Sequence, residues 1–244
     1  MRNRLIQLLA DNKCTAGRRF EIVAKDDTAE VFIYDAIVDD EAQAEWFGGV
    51  APQSFVKDLR AIKATTINLR INSPGGSVFG ARAIEQALRD HPAKVIAHID
   101  GLAASAASFI AMAADEIVIG NGGMFMIHNA WTIEMGNASD LEKTAALLRK
   151  IDGTLVDTYA ARTGNAKDVV AAWMEAETWF TGQEAVDNGF ANSLAQDAEP
   201  TAVVNWNISA FLARVARPTT PKPEATDDHR ARQQQRMRLL TRIE

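Results

Sequence analysis

TINLRINSPGGSVFGARAIEQALRDHPAKVIAHIDGLAASAASFIAMAADEIVIG, residues 66–120, changes its apolar period four times. Thr66–Ile71 alternates apolar and polar residues, as a strand does, and Pro74-Gly75-Gly76 breaks it. From Val78 to Asp90 the pattern becomes helical, with Ile84, Ala87 and Leu88 on one face, until His91-Pro92 ends it. Lys94 to Asp100 then reads as a second strand, Ser105 to Ala114 as a helix, and Glu116 to Ile119 as a third strand. Strands alternating with helices at this spacing predict stacked βαβ units, so the fold class is α/β with a largely parallel sheet.

The same reading extends outward from that stretch. Glu21 to Val38 alternates as strands do, and Pro52 opens a helical run, QSFVKDLRAI, with Phe55, Leu59 and Ile62 at helix spacing. Met124 to His128 is mostly apolar and predicts a buried strand. A long amphipathic helix follows from Ser139 to Ala161, with Ser139 as its expected cap and Asp140 and Glu142 where the helix dipole favours negative charge. Leu141, Ala145, Leu148, Asp152, Leu155 and Tyr159 trace one stripe along it. The stripe fits a solvated surface helix and a helix that projects onto another subunit equally well. Val169 to Ala176 makes a shorter helix, and Thr181 to Gly189 a capped one ending in Asn-Gly. The expected organisation is an N-terminal arm over 1–19, one domain over 20–195, and a flexible C-terminal tail over 196–244, where residues 217–228 are proline-rich and polar.

Composition narrows the function classes. The 244 residues are 47% hydrophobic and 24% charged, which suits a globular domain with a sizeable core. A formal net charge of -6, with both signs interspersed, gives no footprint for nucleic acid or an anionic membrane. No apolar run approaches the roughly 20 residues that span a bilayer. MRNRLIQLLADNK at the start lacks a signal peptide's apolar core, so the expected compartment is the cytoplasm. The single cysteine, Cys14, cannot form an intramolecular disulfide and reads as a bystander.

The chemistry centres on Ser105, which stands among small residues in Gly101-Leu-Ala-Ala-Ser105-Ala-Ala-Ser108 and is the candidate nucleophile. A serine hydroxyl needs a base to take its proton and donors to hold the oxyanion. Ser73-Pro-Gly-Gly-Ser77 is either an ordinary glycine-rich turn or a cradle whose amides point at an anion, and no nucleotide P-loop pattern accompanies it. Of the four histidines, His91 sits at a helix end, His98 within a strand and His229 in the tail, whereas His128 closes an apolar strand. Strand ends are where α/β folds place reactive groups, which makes His128 the candidate base. HExxH and paired CxxC patterns are missing, so acid–base chemistry is expected over metal chemistry.

INSPGG at 71–76, GLAASAAS at 101–108 and MIHNA at 126–130, in that order, resemble the ClpP family of serine peptidases, the proteolytic subunit of the Clp protease. Weaker similarity runs through the long helix, Arg162-Thr-Gly164, and residues 179–189, covering roughly 20–195. The resemblance implies a crotonase-like fold of stacked βαβ units with a projecting handle helix. It makes Ser105 the nucleophile, His128 the general base, and the backbone amides of Gly76 and Ala106 the oxyanion hole. It also implies a polypeptide substrate, no cofactor for the peptidase itself, homo-oligomeric rings, usually two stacked heptamers, and a separate AAA+ unfoldase where one is used. The chain departs from the family at the third member of the triad: the usual aspartate position holds Thr178, with Glu177 beside it. Either Glu177 or Glu175 holds the imidazole, or Thr178 does so by a neutral hydrogen bond, or the enzyme is a dyad; Glu175 and Glu177 also read as solvated helix residues.

That departure and the divergent ends resemble the ClpP-related proteases of phages and prophages, which implies a scaffold or capsid protein as substrate. Two other readings remain: a ring scaffold whose catalytic machinery has decayed, and a crotonase-type acyl-CoA hydratase or isomerase. A Ser-Lys signal-peptide peptidase of the same fold is disfavoured by the lack of a spanning segment.

Overall fold

The structure, a computed structural model, describes residues 19–25 and 27–195. Cys14, His229, most of the arm and the tail lie outside the described residues. Among the described residues eight strands form one sheet: β1 (Arg19–Lys25), β2 (Thr28–Tyr34), β3 (Thr66–Ser73), β4 (Lys94–Ala104), β5 (Glu116–Ile119), β6 (Met124–Ile127), β7 (Thr178–Thr181) and β8 (Ser193–Leu194). The helices are α1 (Glu41–Phe47), α2 (Pro52–Ala61), α3 (Val78–Arg89), α4 (Ala106–Ala111), α5 (Ala138–Thr163), α6 (Lys167–Ala176) and α7 (Gly182–Asp187). Neighbours run β1-β2-β3-β4-β5-β8, with β6 also on β4 and β7 on β6. All pairs are parallel except β1–β2 and β6–β7.

Parallel neighbours need crossover connections, and α2, α3 and α4 supply them between β2, β3, β4 and β5. The alternation read from the sequence sets the register. Val31, Leu69, Ala97 and Ile117 lie side by side, as do Ile33, Ile71, Ile99 and Ile119, and all eight are buried. The intervening row, Phe32, Arg70, His98 and Val118, points to the other face. Fully burying each large aliphatic side chain contributes about 1.5–3 kcal/mol, so these rows hold the crossover layer to the sheet.

The alternation over Glu21–Val38 forms two strands of a hairpin, β1 and β2, with Lys25 paired to Thr28. Two details differ from expectation. The long helix is capped by Asn137 and not Ser139: the Asn137 side chain accepts from the Asp140 amide while the Asp140 carboxylate accepts from the Asn137 amide. β4 continues to Ala104, four residues past the predicted end at Asp100, because it changes partner. Ile96–Ile99 pair with β5, and Leu102–Ala104 pair with β6.

Helix α5 packs along only part of its length. Its buried residues are Leu155, Tyr159 and Ala160, all in the C-terminal half, while Leu141 and Leu147 are about half exposed. Gly164 ends it in the left-handed conformation (φ 74°), which suits a residue without Cβ.

Candidate functional site

The loop after β3 and the turn after β4 build the site together. The Ser73 hydroxyl donates to the Asp35 carbonyl at 2.6 Å and accepts from the Gly75 amide at 3.2 Å, which fixes the turn. Gly75 (φ 87°) and Gly76 (φ 147°) then occupy backbone conformations that disfavour a side chain. A Cβ on Gly75 would lie 2.7 Å from the Ala106 nitrogen and 2.8 Å from the Ser105 Cβ, so close approach to the serine turn also requires glycine. One on Gly76 would lie 2.0 Å from the Ile37 carbonyl oxygen.

Ser105 sits between β4 and α4 at φ 55°, ψ -124°, a strained setting for a residue with a side chain. Such backbone costs of the order of 1–3 kcal/mol and persists only where the surroundings impose it. Here the Ser105 amide donates to the Met126 carbonyl at 2.9 Å, continuing the β4–β6 ladder. Its carbonyl accepts from the amides of Ser108 (3.1 Å) and Phe109 (3.3 Å) and from the Ser108 hydroxyl (2.6 Å). A strand–turn–helix of this kind lifts the serine Oγ clear of the backbone.

His128 follows β6, beside the strand end that carries Ser105. Its Nε2 is 2.7 Å from the Ser105 Oγ. With the proton on Nδ1, Nε2 is the acceptor a serine hydroxyl needs. The other described histidines are elsewhere: His91 Nδ1 accepts from the Ala93 amide, and His98 faces Asn68 across two strands.

Glu177 is the acid that reaches His128. Its Oε2 is 4.0 Å from Nδ1, and the two side chains are only 8% and 7% exposed. The register explains the meeting. β7 runs antiparallel to β6 with Thr178 opposite Ile127 as the last pair of the ladder, so the residues just beyond it, Glu177 and His128, are brought side by side. Glu177 also closes α6 in the left-handed conformation (φ 54°, ψ 69°), where the chain turns from helix into β7. It is not a solvated helix residue, whereas Glu175 is exposed. The Thr178 hydroxyl donates to the Trp173 carbonyl at 2.7 Å, so its one proton is committed away from the imidazole.

Gly76, Ser105, Ala106 and His128 line one cleft, with apolar walls from Val78, Phe109, Trp131 and Leu155. The segment after His128 is pinned on both sides: the Asn129 amide donates to the Met174 carbonyl, and the Ala130 amide donates to the Asp152 carboxylate at 2.7 Å. Burial raises the pKa of Asp152, and the Ala130 amide opposes that shift. In the sequence, Asp152 and Tyr159 are marked only as positions on an amphipathic stripe and Ser108 only as the end of the small-residue motif; the Ser108 and Tyr159 hydroxyls are 2.9 Å apart beneath the serine turn. Serine and tyrosine in otherwise apolar helix positions were the available signal.

Among the described residues there is no group of three or more His, Cys, Asp or Glu side chains placed to hold a metal, and no helix long and apolar enough to cross a membrane. The arrangement therefore offers a serine hydroxyl, a hydrogen-bonded imidazole and a buried carboxylate in line, next to a cleft.

Comparison with known proteins places the chain in a family. The Clp protease family profile matches residues 27–198. The proteolytic subunit 1 of the ATP-dependent Clp protease from Leifsonia xyli is 31% identical over 134 residues, 54% of this chain and 68% of that protein. The corresponding subunit from Bacteroides fragilis is 32% identical over 136 residues, 52% of this chain and 63% of that protein. That from Deinococcus radiodurans is 31% identical over 131 residues, 52% and 64% respectively. The chain thus spans somewhat under two thirds of the length of the last two. The match over 27–198 contains the glycine turn, the serine turn, the histidine strand and the glutamate facing it, and the chain belongs to the Clp protease family of serine peptidases.

Proposed function

We propose that the protein is a serine endopeptidase that cleaves polypeptides through an acyl-enzyme formed on Ser105. The observation that carries the reading is the 2.7 Å contact between Ser105 Oγ and His128 Nε2, with the Glu177 carboxylate on the far side of the imidazole. Ser105 Oγ attacks the scissile carbonyl carbon as its proton passes to Nε2. The amides of Gly76 and Ala106 receive the oxyanion, each donor being worth about 3 kcal/mol in acyl transfer. Collapse breaks the C–N bond, and the proton on Nε2 goes to the leaving amine. Water then repeats the sequence, His128 taking its proton, and releases the acid product with Ser105 regenerated. Glu177 holds the imidazole's orientation and balances the imidazolium that forms in both halves.

A carboxylate one residue before the family's usual aspartate position keeps the triad's function with altered chemistry, which supports a working enzyme over a decayed scaffold. The same departure favours the phage and prophage branch, with a scaffold or capsid protein as substrate. The exposed leucines on the N-terminal half of α5 suit packing between subunits, and we assign the assembly as paired heptameric rings in the cytoplasm, with an AAA+ unfoldase as the optional partner. Fluorophosphonate labelling tests the reading. Mass spectrometry should locate the label on Ser105, native mass should report a ring, and Ser105→Ala should abolish both labelling and peptide cleavage. Full cleavage by Ser105→Ala would sink it.

A further inference from the structure

We propose that Tyr159 and Ser108 are positioning residues that lock and polarise the peptide group between Ser105 and Ala106, and so aim and strengthen the Ala106 amide as an oxyanion donor. This rests on the peptidase reading above and adds a role for two residues outside the triad.

The direction of each proton follows from chemistry. A carbonyl oxygen only accepts, so the Ser108 hydroxyl, 2.6 Å from the Ser105 carbonyl oxygen, spends its one proton there. The Tyr159 hydroxyl, 2.9 Å from Ser108 Oγ, must then be the donor of that pair. The order is Tyr159 to Ser108 to Ser105 carbonyl. Tyr159 is suited to this fixed role. It is buried on α5, its ring stands edge-on to Phe109 and Phe190, and burial raises its pKa, so the phenol keeps its proton.

What receives the hydrogen bond matters more than the bond itself. The Ser105 carbonyl and the Ala106 N–H belong to one planar, trans peptide group, so they point in opposite directions. Anchoring the oxygen inward on Ser108 and Phe109 turns the N–H outward, and Ala106 lines the cleft. A bond accepted by a carbonyl also makes the N–H of the same peptide a better donor, a cooperative gain of about 10–30% per bond. The anchor is needed at this position because Ser105 is held at φ 55°, from which a rotated peptide plane would relieve strain and withdraw the donor.

The experiment compares full-length wild type with Tyr159→Phe, Ser108→Ala, the double variant and Ser108→Thr. Each is normalised to the fraction labelled by a fluorophosphonate and assayed on a fluorogenic peptide. Removing an oxyanion donor outright costs about 10²–10³ in kcat, so weakening one should lower kcat about tenfold in Ser108→Ala and severalfold in Tyr159→Phe, with KM within about twofold. The double variant should be no slower than Ser108→Ala, because Tyr159 acts through Ser108. Ser108→Thr, which keeps the hydroxyl, should retain most of kcat. A crystal structure of Ser108→Ala should show the Ser105–Ala106 peptide rotated.

Tyr159→Phe deletes one oxygen and leaves the ring packing, so it carries the test if Ser108→Ala folds poorly. Variants that lose thermal stability but keep wild-type kcat per labelled site would overturn the proposal and leave the peptidase reading intact. Wild type that is not labelled at Ser105 would overturn both.

Discussion

Replacing Glu177 with glutamine removes the charge facing His128 Nδ1 while keeping the side chain's shape, and the geometry sets the size of the effect. At 4.0 Å, a unit charge pair is worth about 4 kcal/mol at an effective dielectric constant of ~20 and about 1 kcal/mol in bulk water. That energy is present only when the imidazole is protonated, which happens as the tetrahedral intermediate forms, so it enters kcat and not ground-state binding. The two values correspond to losses of about 10³-fold and about fivefold. With the side chains 8% and 7% exposed, the loss should lie near the upper figure. It stays below the ~10⁴ lost when a directly hydrogen-bonded triad aspartate is neutralised, because 4.0 Å is longer than a hydrogen bond. The assay is steady-state hydrolysis of a fluorogenic peptide, normalised by fluorophosphonate titration. Two companion variants separate causes. Glu177→Gly removes the carboxylate but relieves the left-handed backbone at φ 54°, worth about 1–2 kcal/mol, so kcat should collapse without a matching fall in melting temperature. Thr178→Val loses the hydrogen bond to the Trp173 carbonyl, about 1 kcal/mol of stability, and should keep wild-type kcat. A Glu177→Gln enzyme within twofold of wild type would refute the reasoning, as would a Thr178→Val enzyme as impaired as Glu177→Gln.

Gly76→Ala would push a methyl to 2.0 Å from the Ile37 carbonyl oxygen at φ 147°, so chemical denaturation should show a loss of at least about 2 kcal/mol; an unchanged midpoint would contradict the turn geometry. Burial, reinforced by Arg70, lowers the pKa of His98 below its ordinary 6.5. The unfolded chain therefore binds the proton more tightly, and His98's contribution to stability is intact above about pH 6.5 and is lost as pH falls toward the depressed folded value. Urea midpoints for wild type should drop from pH 7.5 to pH 5 by more than those of His98→Gln, and equal drops would remove His98 as the cause. Leu141→Glu with Leu147→Glu places two charges on the exposed half of α5, so native mass should fall below that of the wild-type assembly while circular dichroism stays the same. An unchanged mass would exclude this face as a contact.

The parts of the fold legible in the sequence are those where one local rule decides. Thr66–Ile71, Lys94–Asp100 and Glu116–Ile119 alternate because one face of each strand is buried under the crossover helices, and the pattern survives at single-residue resolution. Where the rule stops, the reading stops. Beyond Asp100, Gly-Leu-Ala-Ala has no alternation, because β4 has changed neighbours there and Leu102, Ala103 and Ala104 are all buried, so its last four residues carry no strand signal. Ser139 is as good a cap as Asn137 by residue type; what selects Asn137 is the reciprocal bond from Asp140, a matter of backbone direction. The site divides in the same way. Ser105 and His128 could be picked out because each sits in a short stretch of distinctive composition at a strand end. Glu177 stood beside Thr178 with nothing local to choose between them. The choice is made by the β6–β7 register, which joins residues about fifty apart and sets Glu177 against His128, and by a left-handed φ that glutamate gives no sign of adopting. The Tyr159 hydroxyl reaches Ser108 across a similar gap, from helix α5 to helix α4. The nucleophile and the base are thus set by local sequence, and the groups that hold them are set by pairing between distant segments, which is why a change of the acid from one position to its neighbour leaves the motif readable and its mechanism open until the sheet is built.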